Sequence, residues 1–421
     1  MSFAGNYLLK QNFNSIISES PANDIGIIVV IPCYNEPDVL TILNSLKNCN
    51  SPKCSVEVII VVNSSEISSN KAIEQNKKTL QDINEWKLIN QTYKFKIYGI
   101  VKENISKKLA GAGYARKIGM DEAANRFNII NNTNGIIVSL DADCICEKNY
   151  FTEIEKLYIE NPNANACTIY YEHPLDGNEF MPEVYDAIAQ YELYLRYYNR
   201  ALRTIGFPYA YQTIGSCFSV KANIYCKQGG MNKKNAGEDF YFLQKIIPLG
   251  NFHEINTTRV IPSPRPSSRV PFGTGPVINK LINGEIKNVM TYSLQAFYDL
   301  KNLFENIDKL FRIEKDKLVE FSSSLPQILS EYCKEIDFTN IVEDANNNSG
   351  SLINFRKRFY NHFNAFRVLK FLNFSHTDYY KQKPVCSVAV ELLEKLNYTD
   401  IPEDIRELLL VFRKIDRIEI F

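Results

Sequence analysis

No run of about 18 apolar residues occurs in this 421-residue chain, so no segment is expected to cross a bilayer as a helix. The stretch from Met1 to Ser20 mixes Asn, Gln, Lys and Ser with apolar residues and lacks the core of a signal peptide. Ten cysteines are present, but no two are spaced as CxxC. Cys144 and Cys146 are close together, yet a chain with four histidines offers them few partners for a zinc site. The thiols are therefore expected to be reduced and mostly buried, which suits a cytoplasmic protein; a place at the inner face of the membrane stays open. There is no excess charge either. Lysine plus arginine equals aspartate plus glutamate at 48 each, so no global field draws the chain to nucleic acid. Internal repeats and low-complexity tracts are also missing.

What is present is ordinary globular material, 45% hydrophobic and 23% charged, in a chain long enough for two domains. Apolar runs at Ile25 to Ile31, Val56 to Val62, Lys94 to Val101 and Gly135 to Leu140 read as buried strands. Helical patterns lie among them, at Asp38 to Lys47, Ser69 to Leu80 and Gly113 to Phe127. Strand and helix in this rhythm predict an α/β fold with a mostly parallel, Rossmann-like sheet and flanking helices. From about Val277 long helical periodicities take over, with a loop expected at Asp344 to Gly350. The organisation expected is an N-terminal extension (1–24), an α/β domain (25–275) and a helical C-terminal domain (276–421).

In open parallel sheets ligands bind beyond the carboxyl ends of the strands, and the polar clusters of this sequence fall there. Asp141-Ala142-Asp143 closes an apolar strand, and two carboxylates two residues apart can converge on one hard divalent ion, manganese or magnesium. A polar turn explains the pair equally simply. Pro32-Cys33-Tyr34-Asn35-Glu36 closes the first strand, where Tyr34 could stack on a base and Glu36 accept from ribose hydroxyls. Asn63, ending the second strand, could read a base edge. Ala110-Gly111-Ala112-Gly113 opens a helix whose amides suit an anion, with Lys108 and Arg116 adding charge. Gly237-Glu238-Asp239 opens another, where a carboxylate could act as a general base or simply favour a first helical turn.

These motifs, taken in order, resemble glycosyltransferase family 2, the inverting enzymes of the nucleotide-sugar (GT-A) fold. The resemblance covers roughly Ile25 to Gly275 and rests on Ile31 to Glu36, Gly113 to Arg116, Asp141 to Asp143 and Gly237 to Asp239. It implies that Pro32, Tyr34, Asn35, Glu36 and Asn63 line the nucleoside pocket. Asp141 would face the nucleoside and sugar, and Asp143 would hold the metal. Asp239 would be the catalytic base, with Glu238 contacting the acceptor or orienting the base. The donor implied is a nucleotide-diphosphate sugar, by default a UDP-sugar, and the acceptor a glycan, a lipid-linked sugar or a small molecule. At the end of the second strand the family often has an aspartate pair, where this chain has Asn63-Ser64. An amide both donates and accepts, so the base preference stays open.

Downstream, Arg259, Arg265 and Arg269 lie on or beside a proline-rich stretch ending in Gly273-Thr274-Gly275. Arg265 and Arg269 could clamp a diphosphate through the guanidinium fork, or the stretch could be a plain linker. In the C-terminal region Phe355, Phe359, Phe363, Phe366 and Leu369 recur at helical spacing among basic residues. A core or homodimer interface is favoured over a peripheral membrane contact. A sugar nucleotidyltransferase would need a glycine-rich, basic loop after the first strand, which is missing. A degenerate sugar-nucleotide scaffold is opposed by the intact Asp141, Asp143 and Asp239.

Overall fold

The computed structural model describes residues 2–90, 95–233, 237–267 and 273–418. The chain divides into two compact units. One comprises residues 1–185, 212–279 and 416–420, the other residues 186–211, 280–415 and 421.

The first unit is built on an eight-stranded sheet. Its strands are β1 (Ile25–Cys33), β2 (Ser55–Ser65), β3 (Phe95–Ile105), β4 (Ile136–Ser139), β5 (Cys144–Cys146), β6 (Ala166–Tyr171), β7 (Phe218–Lys221) and β8 (Phe252–Pro262). They lie in the order β3-β2-β1-β4-β7-β6-β8-β5. Strands β3, β2, β1 and β4 run parallel, as the alternation of strand and helix predicts. Strand β7 enters antiparallel between β4 and β6, and β5 is antiparallel to β8, so the mostly parallel sheet has one reversed strand at its middle and one at its edge. Chain order changes direction at β1, which has β2 on one side and β4 on the other. The crevice beyond the ends of β1 and β4 is thus the ligand-binding position for such a sheet.

The reason for these strands is burial. Residues Ile27 to Ile31 and Val58 to Val62 are almost fully shielded, each valine or isoleucine contributing about 1.5–3 kcal/mol. Helices α1 (Gly5–Lys10), α2 (Val39–Lys47), α3 (Asn70–Ile89) and α4 (Ala112–Ile129) belong to this unit. Asp38 and Ser69 cap α2 and α3 by accepting from the backbone amides of Thr41 and Ala72. Helix α3 runs nine residues past the expected end at Leu80. Ile83 and Trp86 continue its buried stripe through a polar stretch that hides the periodicity. On α4, a Cβ at Gly119 would lie 2.4 Å from a Val30 methyl, so glycine lets the helix sit directly on β1. Further on come α5 (Tyr150–Glu160), α6 (Pro182–Thr204, which leads into the second unit), α7 (Ala222–Lys227), α8 (Glu238–Ile246) and α9 (Thr274–Ile282).

The second unit is helical, with α10 (Leu294–Phe304), α11 (Lys315–Ser324), α12 (Gln327–Glu335), α13 (Phe338–Asn347), α14 (Leu352–His362), α15 (Ala365–Asp378), α16 (Val385–Lys395) and α17 (Ile405–Ile418). The loop expected from Asp344 is corrected here. Helix α13 continues to Asn347 because Val342 and Ala345 keep its buried face. The aromatic stripe is divided between two helices, since Asn364 caps α15 by accepting from Phe366 and Arg367. Phe355, Phe359 and Phe363 are fully buried, with Phe359 and Phe363 stacked 5.9 Å apart. Those three rings are core, while Phe366 and Leu369 are half-buried. All ten cysteines are free thiols, none of them exposed. Among the described residues no helix is long and apolar enough to cross a membrane.

Candidate active site

Five strand and helix ends of the first unit, those of β1, β4, β8, α4 and α8, meet in a cluster of carboxylates and arginines. Strand β4 stops after Ser139, whose hydroxyl donates to the Gly215 carbonyl at 2.6 Å, and the chain passes into Asp141 and Asp143. Their side chains are 38% and 27% exposed, so both can be reached from solvent. Each faces a different arginine. Arg116, in the first turns of α4, donates from Nη2 to Asp141 Oδ1 at 2.6 Å and from Nη1 to Glu238. Arg265, just past β8, makes a two-pronged pair with Glu36 at 2.8 and 2.6 Å, and its Nη2 is 3.2 Å from Asp143 Oδ2.

The two arginines differ in depth. Arg116 has a side chain only 3% exposed, whereas that of Arg265 is 23% exposed. Burial works against the charge of Arg116, but Asp141, Glu238 and Asp239 outweigh it and hold the guanidinium above its ordinary value. The structure thus sets Arg116 among carboxylates, while Lys108 lies exposed on the turn before α4.

At the start of α8, Glu238 is buried and Asp239 keeps some contact with solvent. The protein packed around Asp239, followed by the charge of Glu238, pushes its carboxyl up to about 7 against the opposing pull of Arg116. Its Oδ1 accepts from the Phe240 amide at 2.7 Å. Gly215 fits between the two charges. A Cβ there would lie 3.0 Å from both Asp239 Oδ2 and Arg116 Nη2.

The expected nucleoside pocket falls at the ends of β1 and β2. Pro32 and Tyr34 are half-buried, and Glu36 and Asn63 are buried. Asn35 takes a positive φ of 49°, which asparagine tolerates, and its amide donates to Asn76 Oδ1 at 2.8 Å. Asn76 returns to the Asn63 carbonyl at 2.9 Å, while Gln75 and Thr79 donate to the Glu36 carbonyl. These three α3 residues brace the ends of β1 and β2 without having been expected there, since only the packed helix brings them to those strands. Arg259 is engaged elsewhere, with Glu147 at 2.7 Å and with Glu172. Arg269 lies outside the described residues.

Among the described residues, no three His, Cys, Asp or Glu side chains gather into a metal cage. The donor set still suits a hard cation. Asp141 and Asp143 offer oxygens only and are open to solvent, and magnesium-like ions take one or two carboxylates and complete their shell with phosphate and water.

No sequence among the curated proteins matches the chain. Among solved structures it is similar to the 1–349 fragment of S. aureus TarS in complex with UDP-GlcNAc, with 13% identity and a TM-score of 0.41, covering 80% of this chain and 92% of that one. It is also similar to the mannosyltransferase PcManGT from Pyrobaculum calidifontis in complex with GDP-Man and Mn2+, with 11% identity and a TM-score of 0.33, covering 98% and 93%. Residues 28–223 match the model of glycosyl transferase family 2, a span that contains the β1 end, Arg116, Asp141 and Asp143. By that match the chain carries a glycosyltransferase domain of family 2 type over residues 28–223.

Proposed function

We propose that this protein transfers a sugar from a nucleotide diphosphate, by default UDP, to an acceptor hydroxyl in a single displacement that inverts the anomeric centre. The observation that supports this best is the meeting of Asp141, Glu238 and Asp239 around Arg116. A carboxylate whose pKa is near 7 is a suitable base for neutral solution. Asp239 takes the acceptor proton as the acceptor oxygen forms its bond to the anomeric carbon. The bond from that carbon to the diphosphate oxygen breaks on the opposite side, and its electron pair leaves with the nucleotide. Glu36 and Asn63 hold the nucleoside between them, and Arg265 lies within reach of the diphosphate. A manganese or magnesium ion held at Asp143, with Asp141 beside it, would neutralise charge on the departing group. The acceptor class is a glycan, a lipid-linked sugar or a small molecule.

A thermal-shift panel of UDP, GDP, dTDP and their sugars, with and without manganese, tests this reading. One nucleotide should raise Tm in a metal-dependent way, because a ligand bound only by the folded state stabilises it. Asp143→Ala should reduce the metal-dependent part, with donor affinity falling roughly 10- to 100-fold. An equal manganese-dependent shift in wild type and variant would remove Asp143 as the metal ligand.

A further inference from the structure

Resting on that reading, we propose that Arg116 is a positioning residue for the transfer step, locking the base-bearing start of α8 to the donor-facing aspartate at the end of β4. A lysine or arginine near an anion site is usually read as a ligand for that anion. The depth of Arg116 points elsewhere. With a side chain 3% exposed and two of its nitrogens already engaged, it presents almost no surface to a donor. It acts on the chemistry through the groups it holds.

Glu238 and Asp239 are adjacent in sequence, so fixing Glu238 fixes the peptide that carries the base. The planar guanidinium ties the Glu238 carboxylate to that of Asp141 in one rigid plane, which a flexible ammonium cannot do. Helix α4 is itself seated on β1 at Gly119, three residues further on, so the fork projects from an immobile support. Buried against Arg116, Glu238 leaves Asp239 as the carboxylate of the pair that can meet the acceptor. The remaining side of the base is set by Gly215, whose missing methyl leaves the space between Asp239 Oδ2 and Arg116 Nη2.

The test separates turnover from donor binding. Wild type, R116K and G215A are assayed for release of nucleoside diphosphate from UDP-N-acetylglucosamine, UDP-glucose and GDP-mannose, with water or added sugar as acceptor. Circular dichroism and Tm check folding. R116K keeps the charge and loses the fork, so kcat should fall by roughly 100-fold, the scale of a 1 Å misplacement, while donor KM changes less than about three-fold. G215A removes no charged group but forces Asp239 and Arg116 apart by a few tenths of an ångström, so kcat should fall about 10-fold with donor KM and Tm close to wild type. If R116K does not fold, G215A alone carries the test. Folded variants with wild-type kcat would overturn the role of Arg116. So would a rise in donor KM that matches the loss, which would make Arg116 a donor ligand. A wild-type chain inert toward every donor would overturn the transferase reading itself.

Discussion

Helix α4 carries two buried arginines ten residues apart, about 15 Å along the axis, with different sets of carboxylate partners. Near its far end, Arg126 meets one carboxylate directly, Glu57, in a two-pronged pair that Tyr98 completes, and feels Glu122 as well. Near its start, Arg116 meets two carboxylates directly, Asp141 and Glu238, and feels Asp239 as well. A pair closed on itself serves the fold, since each charge taken from water finds its complement. Where a second carboxylate shares the site, burial first and then the charge of Glu238 raise the proton affinity of Asp239. The additional carboxylate is what distinguishes the end of the helix proposed to serve the reaction from the one that serves the fold.

Three changes would break or sharpen this contrast. The largest effect is expected at the Arg116 end. Asp239→Asn should lower kcat by about 10³- to 10⁴-fold and leave nucleotide binding intact, as seen in single-turnover assays beside a thermal-shift titration. Retained transfer would take the base role from Asp239. At the Arg126 end, Glu57→Leu strands the Arg126 charge and should cost about 3–5 kcal/mol in urea unfolding, with kcat of the folded protein near wild type. A catalytic loss without a loss of stability would make the two ends alike. The smallest effect concerns pH. Asp239 accepts a proton only when ionised, and its pKa is raised to about 7, so kcat should rise with pH below 7 and level off above it. The change is about 10-fold per unit well below 7. A rate independent of pH between 5 and 8 would contradict that assignment.

Much of the α/β unit could be read in the sequence because its signals are local. The apolar runs of β1 and β2 and the caps Asp38 and Ser69 announce themselves within a few residues. The carboxylates of Asp141, Asp143, Glu238 and Asp239 stood out for the same reason, at the ends of periodic segments. Pairings were hidden. The contact of Arg116 with Glu238, 122 residues further on, leaves no local trace in the sequence. The support of Glu36 by Gln75 and Thr79 was equally invisible, since α3 contributes those residues only after it packs. In the helical unit the even spacing of Phe355 to Leu369 suggested one stripe. Asn364 interrupts it, because a cap residue midway in a periodic run leaves the pattern of apolar positions unchanged.

Gly119 has a consequence for anyone who perturbs this protein broadly. Its nearest neighbours across the interface are the side chains of Val30 and Val61, and no carboxylate is among them. Alanine there would lift α4 from β1 and carry Arg116, one turn away, out of register. In a mutational scan scored by activity alone, Gly119 would rank beside the acid residues; scored for abundance as well, it would stand apart as a spacing constraint. The distance between two backbones is here as much a heritable trait of the enzyme as the identity of its base.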